Sequence, residues 1–406
     1  MRPLDEARRD VLSAIVANPI VRVSLPESLG LVLGEDVVAS QDIPPFPNSS
    51  MDGYAVLAAD VVDTPVELRV VDDLRAGYES GAEVRSGTAI QIMTGAPVPA
   101  GADAIVPVEQ VEDGDGSVRI LEGVAEGSFI RAAGGDVAEG TTVVSAGDRL
   151  GPAHLGVLAA LGVTAVPVRR RPVVAYMSTG DEVVPPETER LEPGKIRDTN
   201  RPLLSGLLSE LGVDTVDLGI VPDDEDALRS ALLEAADRAD AVVTTGGVSM
   251  GTHDLVKQVL AESGSVDFWK VAMQPAKPFA FGHINGTPLF GLPGNPVSSM
   301  VAFEQFLRPA LLSMMGSEAV LRPRVNGSSS EGLSTDPAKT VFVRARSAYR
   351  GGEWLATPSK RQQSNMLSAV ADGDCFIVVP EGVGDVAAGT EVELEMFQWP
   401  ATRMAP

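Results

Sequence analysis

Near the start of the chain, apolar residues recur with the spacing of one helical face. Leu4, Val11, Leu12, Ile15 and Val16 share a side, and Asn18-Pro19 ends the predicted helix. Residues 20–45 read as strand and close with the stiff run Ile43-Pro44-Pro45-Phe46-Pro47. From residue 50 to 140, short alternating stretches rich in Val and Gly are broken by frequent turn signals, which predicts a small β-rich module. Residues 141–168 return to a strand, a short helix from His154 to Leu161, and a strand. The β-rich module is therefore expected to be inserted into another domain.

The period changes over residues 172–315. Val173–Met177 is a continuous apolar strand, and Leu203, Leu204, Leu207, Leu208 and Leu211 form a helical stripe. Val216–Val221 is the next strand, and Leu228, Leu232, Ala235 and Ala239 the next helical face. Ala241–Thr245 is a strand, and Leu255, Val256, Val259 and Leu260 a helix face. This alternation predicts a central parallel sheet with helices on both faces. Residues 322–406 revert to short strands, which predicts a C-terminal β-domain. The expected fold is α/β and multidomain. Its parts are residues 1–45 with 141–171, an inserted β-rich domain at 46–140, an α/β domain at 172–320 and a β-domain at 321–406.

A chain of 406 residues is too long for one core, which agrees with that division. The formal charge of −24 repels nucleic acid and anionic membranes, so neither is an expected partner. An anionic substrate would then need locally concentrated basic residues or a divalent cation. The single cysteine, Cys375, rules out an intramolecular disulfide and lies in an apolar strand suited to core packing. Arg8, Arg9 and Asp10 break the first apolar run, so no signal peptide is read, and no apolar run reaches the ~18 residues of a membrane span. A cytoplasmic protein is expected.

In an open α/β sheet, ligands bind beyond the carboxyl ends of the strands. The segments there are Ser178-Thr179-Gly180-Asp181-Glu182, Pro222-Asp223-Asp224, the loop from Gly246 to Asp254, and Gly291-Leu292-Pro293-Gly294-Asn295-Pro296. In the 246–254 loop, Gly246, Gly247 and Gly251 let backbone N–H groups approach an anion, and Ser249 adds a hydroxyl. Asp254 suits a first helical turn on dipole grounds alone. Asp223 and Asp224 precede a helix, so one is expected to cap it and the other to remain free. Glu182, Asp223 and Asp254 together suit Mg²⁺, which takes a few carboxylates plus substrate phosphate. Lys270 and Lys277 are the candidate anion contacts, whereas Arg169-Arg170-Arg171 sits at the amino edge and reads as surface. Arg344 and Arg346 alternate on a strand and share a face. His154, His253 and His283 have no zinc-ligand spacing.

Six motifs in order carry a resemblance. They are Pro47–Ala55, Ile92–Pro97, Ser178–Glu182, the 246–254 loop, Lys270–Pro278 and Gly291–Pro296. They resemble the molybdopterin molybdenumtransferase family, which includes bacterial MoeA and the E domain of gephyrin, over essentially the whole chain. The resemblance implies adenylylated molybdopterin and molybdate as substrates, AMP release and Mg²⁺. It further implies four domains, a homodimer and an active site between domains of both subunits. The adenylyltransferase that makes the substrate and the enzymes that accept the cofactor would be its protein partners.

Carried over residue by residue, Asp52, Thr94, Asp136, Glu182, Asp223 and Asp254 match the family's functional acidic and hydroxyl positions. Ser249 and Asp254 match its pterin and nucleotide loop. Lys270, Lys277, Arg344 and Ser364 match positions around the molybdate and phosphate pocket, and Pro293 and Pro296 a rigid turn lining it. Two positions depart: Gln274 stands where many relatives have Lys, and Ala276 where Gly is usual. On the residues alone, Asp52 and Thr94 read as turn formers. The alternatives are a molybdopterin adenylyltransferase, which the extra β-domains disfavour, and a non-catalytic scaffold, which the retained acidic set disfavours.

Overall fold

The computed structural model describes residues 1–246 and 264–399. The chain divides into two compact units, one of Met1–Val21, Gly30–Gly34 and Pro167–Pro406, the other of Arg22–Leu29 and Glu35–Val166.

The second unit is built on a six-stranded sheet in the order Ala104–Pro107, Gly53–Val56, Thr88–Ile92, Val66–Leu74, Ser117–Ile120, Val111–Asp113. Only the 66–74 and 88–92 strands pair in parallel. Tyr54, Val56, Ala104 and Val106 pack on one face, and Ala55 and Ile105 on the other. Both faces are thus covered, so strands Gly53–Val56 and Ala104–Pro107 are buried throughout and not at alternate positions.

In the first unit, a six-stranded sheet runs in the order Asp214–Val221, Val173–Thr179, Ala241–Thr245, Thr287–Leu292, Pro278–Ile284, Gly264–Lys270. Its first four strands are parallel. The last two pairings are antiparallel, so the sheet is mixed and not wholly parallel as expected. The cause is a two-residue hairpin at Asn285-Gly286. Both residues have positive φ (49° and 84°), which suits Asn-Gly and forces an antiparallel return. Helix Glu225–Arg238 covers one face with Leu228, Leu232 and Ala235. Helix Asn200–Leu211 covers the other with Leu204, Leu208 and Leu211, joined by helices Pro296–Ala302 and Arg308–Met314.

The N-terminal helix spans Leu4–Ser13, shorter than expected. It buries Leu4, Ala7 and Val11, but Val16 lies beyond its end and is 81% exposed. The Asn18 N–H donates to the Met314 carbonyl, so the chain has already left the helical path.

Between the two C-terminal helices, Phe303–Leu307 forms a π-helical turn that buries Glu304 and Gln305. Both are satisfied: Glu304 takes Arg322 in a fork at 2.9 and 3.0 Å, and Gln305 donates to Glu395 at 2.6 Å. Gln305 also accepts from Arg8 of the N-terminal helix.

The C-terminal strands form a closed five-stranded barrel. Thr340–Arg350 pairs with Glu353–Pro358 and Cys375–Val379, Arg324–Ser329 with Glu353–Pro358 and Glu391–Met396, and Cys375–Val379 with Glu391–Met396. Val341, Val343, Ala356, Ile377 and Leu394 fill it, together with Cys375, whose thiol is raised by burial and so stays inert. The short strand Met273–Gln274 adds in parallel at Thr340-Val341 and ties the barrel to the chain leaving the α/β sheet. Among the described residues, no helix is long and apolar enough to cross a membrane.

Candidate functional site

The carboxyl edge of the parallel strands is held together by a buried polar knot. The Ser178 hydroxyl bonds Asp198 and Thr245, each at 3.0 Å. Asp198 also accepts the N–H groups of Asn200 and Arg201 at 3.1 Å, which caps helix Asn200–Leu211. The Asn200 amide then donates to the Gly294 carbonyl at 2.8 Å. Three strand ends and one helix start are thereby locked to each other. Gly246 sits among them at φ 90°, and a Cβ there would lie 2.7 Å from the Thr179 carbonyl oxygen. Its glycine is required by both conformation and space. Asp198 has no motif of its own in the sequence, because the strand residue it locks, Ser178, lies 20 positions away.

The acidic positions lie at the same edge. Asp224 caps helix Glu225–Arg238 by accepting from Ala227 N at 2.9 Å, so Asp223 is not the capping one of the pair. Asp223 exchanges backbone-to-carboxylate bonds with Asp181: 3.1 Å from its own N–H and 3.4 Å from that of Asp181. Glu182 is exposed, and its carboxylate folds back against Gly180. Among the described residues, no group of three or more His, Cys, Asp or Glu side chains is placed to hold a metal ion. Asp254, the third expected ligand, lies outside the described residues, as do Gly247, Ser249 and Gly251.

Between the α/β sheet and the barrel of this first unit lies a cleft of about 920 Å³. It brings together Lys277, Pro293, Arg344 and Ser364. Arg344 is 1% exposed, yet among the described residues no carboxylate pairs with it. One guanidinium nitrogen donates to the Arg361 carbonyl at 3.3 Å, while its buried Nε has no hydrogen-bond partner among the described residues. Burial pushes the group down to about 10. Gln362 fixes the strand beneath it, accepting from Arg344 N at 3.2 Å and donating to Arg344 O at 2.9 Å. Ser364 is held at the start of helix Pro296–Ala302: its hydroxyl accepts from Asn295 at 3.1 Å, and its carbonyl accepts Val297 N–H at 3.3 Å. The Ser299 hydroxyl donates to Pro293 O and stiffens the turn that Pro296 closes.

Both departures noted in the sequence face this cleft. Gln274 lines it, and Ala276 adopts φ 71°, a left-handed conformation that glycine would accept without strain. Lys270 does not line the cleft. It is exposed at the end of strand Gly264–Lys270, where its carbonyl accepts Arg2 N–H at 2.8 Å. Arg346 is exposed and also outside the cleft, whereas Lys339, Asp336 and Glu331 are inside it and were not anticipated. At the amino edge, Arg170 forms a fork with Asp240 at 2.9 and 2.6 Å, and Arg169 donates to Asn18 O, so both serve structure.

In the second unit, Asp52 and Thr94 meet. Asp52 accepts both the N–H and the hydroxyl of Thr94, which hold its carboxylate below the usual range. Asp136 is exposed and donates its N–H to Ile43 O at 3.0 Å.

Residues 2–162 match the family model described as MoeA N-terminal region (domain I and II), residues 175–313 that of a probable molybdopterin binding domain, and residues 326–397 that of the MoeA C-terminal region (domain IV). The chain is 39% identical to molybdopterin molybdenumtransferase 2 of Mycobacterium tuberculosis, over 97% of this chain and 99% of that protein. It is 36% identical to molybdopterin molybdenumtransferase of Haemophilus influenzae, over 98% and 99%. Its fold is similar to the crystal structure of the molybdopterin biosynthesis MoeA protein from Pyrococcus horikoshii, with TM-score 0.85, 30% identity, and 98% and 100% of the two chains covered.

Proposed function

Because the chain belongs to the molybdopterin molybdenumtransferase family and is therefore a transferase of molybdenum cofactor biosynthesis, we propose that it inserts molybdate into adenylylated molybdopterin and releases AMP with the help of Mg²⁺. The observation that supports this reading is Arg344, a buried cation that lines a polar cleft and has no carboxylate partner among the described residues. A buried charge without a counter-ion is costly, and a small dianion supplies the missing partner. Lys277 shares the cleft, and Ser364 offers it a hydroxyl. Such a site acts by positioning and charge neutralisation, without a side-chain nucleophile.

Glu182, Asp223 and Asp254 would hold Mg²⁺, whose preference for carboxylate oxygen suits these donors and which would neutralise substrate phosphate. The backbone of Gly246, Gly247 and Gly251 and the hydroxyl of Ser249 would receive that phosphate. Asp52, Thr94 and Asp136 complete the acidic and hydroxyl set, and Lys270 gives a further anion contact. The working form is a cytoplasmic homodimer of four-domain subunits. It receives its substrate from a molybdopterin adenylyltransferase and passes the cofactor to acceptor enzymes.

The test supplies adenylylated molybdopterin, molybdate and Mg²⁺ and follows AMP. Metal-dependent AMP release that falls in Asp223→Ala and Asp254→Ala is the expected result. No release, or release indifferent to both substitutions, overturns the mechanism.

A further inference from the structure

Arg344 and Lys277 are not the only cations facing the cleft. Lys339 lines it too, as do two carboxylates, Glu331 and Asp336. The three cations and two carboxylates leave one net positive charge, which is a poor match to a dianion.

Lys339 is placed by the fold. Thr340 N–H donates to Ala272 O at 3.0 Å, and Thr340 pairs with Met273, so Lys339 stands at the seam just before that pairing begins. The loop before it is anchored to the barrel: Thr335 donates through N–H and hydroxyl to Gly384 O, and Pro337 O accepts Gly382 N–H. The Lys339 ammonium lies 2.5 Å from Asp336 Oδ2, and its side chain is only 17% exposed. The other Asp336 oxygen accepts Ala338 N–H at 3.0 Å. Lys339 and Lys277 both help to keep the Asp336 carboxylate ionised, so Asp336 senses both lysines.

We infer that Lys339 is a further oxyanion contact of this cleft, and that Asp336 limits the cleft's affinity for a dianion by holding Lys339 in an ion pair with which the anion must compete. The inference rests on the proposed oxyanion role of the cleft. A purely structural Asp336–Lys339 pair would stabilise the loop and leave anion affinity unchanged in both single variants.

Equilibrium dialysis of molybdate alone against the full chain separates these cases, with thermal unfolding as the check on each variant. Lys339→Met is expected to weaken binding about ten-fold, the loss of one charge-assisted contact, and Lys339→Arg to restore most of it. Asp336→Asn is expected to tighten binding several-fold. Wild-type affinity in Lys339→Met, or no gain in Asp336→Asn, overturns the inference. An Arg344→Met arm tells the two failures apart. If Arg344→Met loses binding while the Lys339 and Asp336 variants behave as wild type, the oxyanion cleft stands and only this inference falls. If Arg344→Met binds like wild type, or wild type shows no saturable binding, both fall.

Discussion

Asp52 takes two hydrogen bonds from one residue: its Oδ1 accepts the backbone N–H and the hydroxyl of Thr94, each at 2.7 Å. The backbone bond is the larger cause of its lowered pKa and the hydroxyl the second. The folded-state pKa is below the unfolded value of about 3.9, so the pair's contribution to stability is fully present above that value. It is lost as pH falls through the folded value. Asp52→Asn should therefore lower the unfolding midpoint by a constant amount above about pH 5, and the gap should narrow as the pH falls below the ordinary carboxylate range. Denaturant midpoints measured across that range check it; a gap that widens in acid contradicts the pairing.

Arg344 gives a prediction of opposite signs. Its pKa is lowered to about 10 by burial alone, so the charged form costs folding free energy at neutral pH and that cost fades as pH rises past 10. Arg344→Met keeps much of the volume and removes the charge. It should raise stability at pH 7 by up to about 3 kcal/mol while abolishing molybdate binding. Molybdate should then raise the unfolding midpoint of wild type and leave that of the variant unmoved. A variant less stable than wild type would mean that Arg344 has a counter-charge.

Much of the α/β unit was legible, because each helical stripe and apolar strand is a local pattern. Leu204, Leu208, Leu228 and Leu232 are buried where that pattern puts them. The antiparallel turn of the sheet lies outside that alternation of strand and helix, although Asn285-Gly286 suits a hairpin. Partnerships across the fold were not legible. Ser178 meets Asp198 and Thr245, and Lys339 meets the cleft, through contacts that no spacing encodes. Asp223 and Asp224 show the boundary well: the sequence requires one cap, and only the geometry says that it is Asp224.

Gly246 and Gly294 approach each other at the carboxyl edge, yet they should respond differently to the same substitution. Gly246→Ala places a methyl group 2.7 Å from Thr179 O in a left-handed conformation. It should cost about 2 kcal/mol or more and reduce AMP release. At Gly294 a Cβ would meet only Gly246 Cα, at 3.7 Å, so Gly294→Ala should leave the unfolding midpoint nearly unchanged. Equal losses in the two variants would show that the strand ends are not locked as described.

Ala276 and Phe129 carry positive φ of 71° and 58°, where a Cβ is strained. The penalty of roughly 1–2 kcal/mol is larger than the ~0.4–1 kcal/mol of extra unfolded-state freedom that glycine brings. Ala276 is buried in the core, so the lost methyl group offsets part of that relief, and Ala276→Gly should raise the unfolding midpoint only slightly, by well under about 1 kcal/mol. Phe129 is 39% exposed, so its ring keeps some packing, and Phe129→Gly should gain less. The ordering of the two variants is the test. If Phe129→Gly gains more than Ala276→Gly, the neighbours of Ala276 hold that turn in place for reasons other than backbone strain. For Ala276→Gly, a rise in stability combined with weaker molybdate binding would show that the left-handed turn beside Lys277 is kept rigid for the anion.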